Sequence, residues 1–166
     1  MDPAAPRISV VVALLNRRDT LARCLDSVLA QTWMARELIL IDGGSTDGSL
    51  ELVRARAGAI AHWESTPDRG LYHAFNKALA KASGDWIYFL GADDWLLEDS
   101  VFSRIAPHLA NALPKYRVVY AQANFVTESG EVLETMGAPW QDCRPGCKRW
   151  ALGVGGSTPS VPQLTH

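Results

Sequence analysis

Ile8-Ser9-Val10-Val11-Val12-Ala13-Leu14-Leu15 is an almost unbroken apolar run rich in β-branched residues. Such a run predicts a strand buried on both faces. Asn16-Arg17-Arg18-Asp19 then breaks it with helix-start chemistry. From Thr20 to Gln31, Leu21, Cys24, Leu25, Val28 and Leu29 recur at spacings of three and four, which predicts an amphipathic helix. Glu37-Leu38-Ile39-Leu40-Ile41 predicts a second buried strand. It runs into the turn cluster Asp42-Gly43-Gly44-Ser45-Thr46-Asp47-Gly48. Thr46 or Asp47 can cap the helix that follows, with Leu50 and Val53 on its inner face.

Ala59–Trp63 predicts a short third strand, and Glu64–Arg69 a polar loop containing Pro67. Gly70 opens a helix to about Ala82, with Leu71, Ala74, Phe75, Ala78 and Leu79 inward and Ser83-Gly84 as its stop. Asp85–Leu90 predicts a fourth strand, followed at once by Gly91-Ala92-Asp93-Asp94. A helix over Glu98–Ala110 and a strand at Arg117–Ala121 come next. Asn124–Val126 and Val132–Glu134 flank Glu128-Ser129-Gly130, which reads as a hairpin turn. Strand and helix alternate, so the expected class is α/β with a mostly parallel sheet flanked by helices. After about Met136 the periodicity dissolves into Gly, Pro, Ser and Thr, which predicts an irregular tail over 136–166.

The chain has 166 residues, enough for one domain with a tail at roughly 100–200 residues per domain. Sixteen basic and eighteen acidic residues give a net charge of −2. That argues against nucleic acid as a partner, since polyanion-binding surfaces carry a strong basic excess. No apolar run reaches the roughly 18–20 residues that cross a bilayer, and the first residues carry no signal-peptide pattern. A cytoplasmic chain is expected. Of three cysteines, Cys24 falls in the helical pattern as a small buried residue. Cys143 and Cys147 stand four apart without a nearby His or second Cys pair, a weak zinc signal.

In open α/β sheets, ligands bind beyond the carboxyl ends of the strands. Three such ends carry the informative residues here: Ala13–Asn16, Asp42–Gly44 and Asp93-Asp94. Two adjacent carboxylates repel each other and invite a compensating charge. A hard divalent cation, Mg²⁺ or Mn²⁺, accepts oxygen ligands and needs few from the protein when a diphosphate completes its shell. It would neutralise charge developing on a leaving nucleoside diphosphate. An isolated Asp-Asp pair also fits a plain turn with a helix cap. Asp42 could accept hydrogen bonds from a base or ribose, or merely shape a turn. The segment lacks both the Gly-Lys-Ser/Thr ending of a P-loop and the GxGxxG fingerprint. Arg69 and the free amides beside it could meet a phosphate, and an exposed salt bridge fits equally well. Asn76 lies two helical turns on, on a similar face. Lys77 reads as part of a solvated face, and His62, His73 and His108 lack metal-ligand spacing.

Together these pieces resemble the family 2 glycosyltransferases of the GT-A fold, over about residues 7–135. The resemblance rests on seven segments in order: Ser9–Asn16, Ser27–Thr32, Ile41–Gly48, Pro67–Tyr72, Asn76-Lys77, Ser83–Asp85 and Gly91–Asp94. The Asp-Gly-Gly-Ser-Thr-Asp-Gly segment is similar to that of a subgroup common in bacterial O-antigen and exopolysaccharide synthesis. The resemblance implies transfer of a sugar, usually with inversion, from a nucleotide-diphospho-sugar donor to a saccharide or lipid-linked saccharide acceptor. Peripheral membrane contact would follow from a lipid-linked acceptor. It implies that Ala13, Leu15 and Asn16 line the base pocket with Asp42 and Gly43. Arg69 would lie near the nucleotide, Asn76 on the helix beneath it, and Asp93 and Asp94 on the segment that holds metal and diphosphate.

Three departures from that pattern stand out. Gly91 and His73 occupy positions where relatives often carry an acid. Relatives also continue past the position of His166 into an acceptor-binding half, where an Asp or Glu acts as general base. The late carboxylates here, Glu128, Glu131, Glu134 and Asp142, match no base motif. The expectation is a donor-binding half, from a fragment or a shortened gene. A nucleotide-sugar-binding module without turnover is the alternative. A nucleotidyltransferase is less suited, because no Gly-rich, Lys/Arg-bearing loop follows strand one.

Overall fold

The computed structural model describes residues 5–112, 114–127 and 130–137, and the chain divides after Ala106 into two compact units. The first holds β1 (Ile8–Leu14), α1 (Arg18–Leu29), β2 (Arg36–Asp42), α2 (Ser49–Ala55), β3 (His62–Ser65), α3 (Leu71–Leu79) and β4 (Trp86–Gly91). Its four strands lie in the order β3-β2-β1-β4, and every pairing is parallel. The apolar runs explain the centre of this sheet: Val10, Val11, Val12, Ile39, Leu40 and Ile41 have no exposed surface. Val11, Ile39 and Ile41 pack with Ala74 and Ala78 of α3. Their alternate neighbours point to the opposite face. There Tyr88 of β4, level with Val10, meets Phe102 edge-on at 5.4 Å.

The chain runs outward from β1 to β2 and β3, then crosses back through α3 to place β4 on the other side of β1. The strand order reverses at β1, and α/β sheets offer a crevice at the carboxyl edge of such a point. Two polar clusters hold this frame. At the amino edge, Glu37 accepts hydrogen bonds from the Ser9 hydroxyl (2.5 Å), the Ser83 amide (2.7 Å) and Arg7 (3.1 Å). On the α1 side, the buried Gln31 donates to the Glu98 carbonyl (2.6 Å) and accepts from the Phe102 amide (2.9 Å). Ser27 accepts from the Leu96 amide at 3.0 Å, so the segment after β4 is stapled to α1.

Some boundaries differ from expectation. The third strand begins at His62, because Ala57–Ala59 forms a 3-10 turn. Leu71 is 55% exposed rather than inward, since it occupies the first turn of α3 outside the buried stripe of Ala74 and Ala78. The last helix, α4, spans Val101–Ala112 with Pro107 inside it. The strand expected at Arg117–Ala121 is absent until its final residue. Val118, Val119 and Tyr120 favour extended backbone, but a strand needs a ladder partner, and pairing starts only within β5.

In the second unit, β5 (Ala121–Val126) and β6 (Val132–Met136) form an antiparallel pair, with a register irregularity at Phe125/Val126. Gly130 sits at a φ of 88° where the chain turns back. Glu128, Asp142, Cys143, Cys147 and the tail beyond Gly137 lie outside the described residues.

Candidate functional site

Parallel register fixes which residues meet at the carboxyl edge. Ala13 of β1 stands level with Gly91 of β4, and Leu14 is level with Asp42 of β2. Asp42 is in turn level with Ser65 of β3. The β2 and β4 ends therefore flank β1 two strand spacings apart, about 9.6 Å.

The loop leaving β1 is pinned to the loop leaving β2. Asn16 has a φ of 53°, a left-handed conformation that Asn tolerates. Its amide donates to the Ser45 hydroxyl at 2.8 Å, and its side-chain oxygen accepts from the Thr46 amide at 2.9 Å. The Arg17 amide donates to the Ser49 hydroxyl and the Arg18 amide to the Asp47 carboxylate, each at 2.9 Å. Asp47 also accepts from the Ser49 amide and so serves the starts of both α1 and α2. Hydrogen bonds from Ser49 and Arg18 lower its pKa to about 2. Leu15 remains 53% exposed, an apolar surface at the edge.

Asp42 is fully buried. The Ser45 and Ser65 hydroxyls each donate to its carboxylate at 2.5 Å, and the Ser45 amide donates at 3.1 Å. Asp42 thus closes the Gly43–Ser45 turn and ties it to β3. A Cβ on Gly43 would stand 3.0 Å from the Asp68 carboxylate, so the two loops pass closely here. Asp68 itself accepts from the Gly70 amide at 2.7 Å. The β3–α3 loop is thereby folded against the β2 end.

At the β4 end, two carboxylates converge above Gly91. A Cβ on Gly91 would lie 2.6 Å from an Asp94 oxygen and 2.9 Å from an Asp93 oxygen. Burial, and then the charge of Asp93, raise the Asp94 pKa. Among the described residues Asp93 pairs with one cation, Arg17, at 3.8 Å with both side chains about half exposed. Helix α1 supports this segment: the Thr20 hydroxyl donates to the Ala92 carbonyl at 2.9 Å, and Cys24 Sγ lies 3.4 Å from the Gly91 carbonyl. Burial, followed by the Asp94 and Asp93 charges, pushes the Cys24 thiol up to about 12, so it stays a neutral packing residue. Arg23 stacks over the Trp95 ring at 3.3 Å and anchors the next turn.

The other expected site residues lie apart from this pair. Arg69 and Asn76 are exposed on the β3–α3 loop and α3, and neither side chain makes a hydrogen bond among the described residues. The Arg69 amide donates to His73 Nδ1 at 3.1 Å, so His73 braces the loop. Lys77 is not a freely solvated residue: it pairs with Glu64 at 3.0 Å and with Thr66 at 2.7 Å.

Among the described residues no group of three or more His, Cys, Asp or Glu converges as a metal site. The donor set at Gly91 nonetheless fits a hard divalent cation. It offers two oxygen ligands with their negative charge barely compensated, leaving further positions for ligand oxygens. Arg17, Thr20 and Ser65 join this candidate site without a local sequence signal, whereas Ser45 and Asp68 lie within the Asp42–Gly48 and Pro67–Tyr72 segments that the sequence marks. The partners of the first three lie on other loops, and only the hydroxyl- and acid-rich turn after β2 hinted at such bonding.

The model of the family described as Glycosyl transferase family 2 matches residues 9–138. A PGL/p-HBAD biosynthesis glycosyltransferase of Mycobacterium bovis is 39% identical over 116 residues, covering 67% of this chain and 44% of that protein. An uncharacterized glycosyltransferase, YibD of Escherichia coli, is 34% identical over 90 residues, 53% of this chain and 26% of that one. The chain spans less than half the length of these curated relatives. Among solved structures, the mannosyltransferase PcManGT of Pyrobaculum calidifontis, in complex with GDP-Man and Mn²⁺, aligns with a TM-score of 0.59 at 26% identity. That alignment covers 75% of this chain and 37% of that one. S. aureus TarS 1-349 with UDP-GlcNAc aligns at 0.57 with 23% identity, over 63% of this chain and 31% of that one, a likeness of fold. The four-stranded parallel sheet with flanking helices is thus the GT-A arrangement.

Proposed function

The chain belongs to glycosyl transferase family 2, and from that premise we propose that residues 7–135 bind a nucleotide-diphospho-sugar for transfer of its sugar to an acceptor hydroxyl. The observation that carries this reading is the convergence of Asp93 and Asp94 above Gly91, at the carboxyl edge where the strand order reverses. Asp93 and Asp94 would hold Mn²⁺ or Mg²⁺. The ion would supply neutralisation of the charge that gathers on the departing nucleoside diphosphate. A Mn²⁺ complex of the similar mannosyltransferase supports a divalent ion.

The remaining assignments follow from position. Ala13, Leu15 and Asn16 offer small, apolar and amide surface to a base beside Gly43. Asp42 shapes that turn through Ser45 and Ser65. A direct bond from Asp42 to the base requires one of those hydroxyls to rotate away. Arg69 and Asn76, exposed and without side-chain hydrogen bonds among the described residues, are available to the ribose and phosphate side. The acceptor is a saccharide or lipid-linked saccharide of bacterial polysaccharide or O-antigen type, and transfer inverts the anomeric centre. Contact with the membrane surface would then come through the acceptor, since no helix among the described residues is long and apolar enough to cross a bilayer.

Thermal-shift titration with UDP, GDP and their sugars tests this reading, each with Mn²⁺ and with EDTA. A rise in melting temperature that needs both nucleotide and Mn²⁺ supports it. Stabilisation by neither nucleotide contradicts it. Release of nucleoside diphosphate from the sugar-nucleotide marks turnover, whereas release of pyrophosphate would identify a nucleotidyltransferase instead.

A further inference from the structure

The cations of the first unit are mostly committed to structure. Arg7 is bonded to Glu37, and Arg56 grips both Asp26 oxygens. Arg36 donates to the carbonyls of Val28, Leu29 and Trp33. Lys77 is paired with Glu64, and Arg23 covers Trp95. Arg17 differs. Its backbone is fixed, because its amide bonds to Ser49. Among the described residues its guanidinium makes one loose contact, 3.8 Å to Asp93, and it is about half exposed. It lines an open hollow with Asn16, Arg18, Asp19, Thr20 and Asp47 at the start of α1.

We propose that Arg17 is a second cation, beside Arg69, that binds the donor's diphosphate, parked on Asp93 until a divalent ion occupies the acid pair. The inference rests on the donor-site reading above and adds to it a residue with two alternating partners. An exposed ion pair at this separation contributes little and breaks easily. With a divalent ion held by Asp93 and Asp94, the guanidinium would be repelled and would lose its reason to stay. An anion that shares that ion with Asp93 lies within a few ångströms of Asp93, which is the reach Arg17 already has. Guanidinium groups bind phosphate through paired N–H donors, so the exchange replaces a weak contact with a strong one. Arg17 also stands at the amino end of a helix, where the field favours an anion.

The two partners make opposite demands, and this gives the test. Isothermal titration of the purified chain would measure Mn²⁺ alone, then UDP and GDP at saturating Mn²⁺. Arg17→Gln removes a competitor of the metal, so Mn²⁺ alone binds about twofold or more tighter. The same variant loses a charge-assisted phosphate contact, so the better nucleotide binds about tenfold weaker. Arg17→Lys keeps the charge but not the paired donors, so Mn²⁺ affinity stays near wild type while nucleotide affinity falls by less than in Arg17→Gln. Affinities that move in the same direction in Arg17→Gln, or either one that stays unchanged, overturn the proposal. Asp94→Ala separates this from failure of the donor-site reading. If Asp94→Ala abolishes Mn²⁺-dependent nucleotide binding while Arg17→Gln alters nothing, Arg17 has no such role and the donor site stands. If wild-type protein binds neither nucleotide with Mn²⁺, both ideas fall.

Discussion

The hydroxyl of Thr20 donates to the carbonyl of Ala92 at 2.9 Å across 72 residues of sequence. This bond joins the first turn of α1 to the backbone immediately before the acid pair. Ala92 is only 4% exposed, so water does not readily replace the donor. Thr20→Val keeps the shape and deletes that donor. It should cost about 1–2 kcal/mol in chemical denaturation. It should also weaken Mn²⁺ binding at Asp93-Asp94 severalfold. Loss of stability with metal affinity untouched would show that the bond serves the fold alone.

Glu37 makes the amino edge pH-sensitive. Burial pushes its pKa up, but hydrogen bonds from Ser9, Ser83 and Arg7 win and hold it at about 2 instead of 4.5. A depressed carboxylate contributes stability that is complete above the unfolded value. That contribution fades as pH falls through the folded value. Stability should therefore decline between about pH 4.5 and pH 2, measured as the urea midpoint. Glu37→Gln should cost about 2 kcal/mol at pH 7 and flatten that decline. An unchanged acid limb in the variant would contradict this assignment.

Gly84 lies beside the same cluster. A Cβ there would meet Ser9 Oγ at 2.7 Å, and the Arg7 carbonyl and Ser9 amide at 2.8 Å each. Two of these three atoms are backbone and cannot swing aside. Gly84→Ala should destabilise the protein by about 2 kcal/mol or more through forced separation of β1 from the turn before β4. A thermal midpoint within a degree of wild type would refute this close approach.

The parts of this protein that the chain spells out locally were legible, and the parts that depend on distant partners were not. Val10–Val12 and Leu38–Ile41 announce buried strands because their apolar runs are continuous. The stripe of Leu21, Cys24, Leu25 and Val28 announces α1 through its spacing, and all four are buried. Val118–Tyr120 shows the limit: β-branched and aromatic residues favour extension but cannot supply a neighbouring strand. Leu71 shows another, since apolar character alone did not put a first-turn residue on the buried stripe. At the site, Asp42, Asp93 and Asp94 stood out as acids after apolar strands. That Asp42 would be enclosed by Ser45 and Ser65 depends on β3 lying level with β2. The ties from Thr20 to Ala92 and from Arg17 to Asp93 join segments more than 70 residues apart in the numbering. No local pattern encodes them.

The most direct test compares UDP and GDP affinity with and without Mn²⁺ in wild-type protein and in Asp94→Ala, by titration calorimetry. Two acids above Gly91 that carry a cation for a diphosphate predict a large gain from Mn²⁺ in the wild type, about tenfold or more. They predict almost none in Asp94→Ala, with metal-free affinity little changed. Equal affinity with and without Mn²⁺ in both proteins would contradict the account.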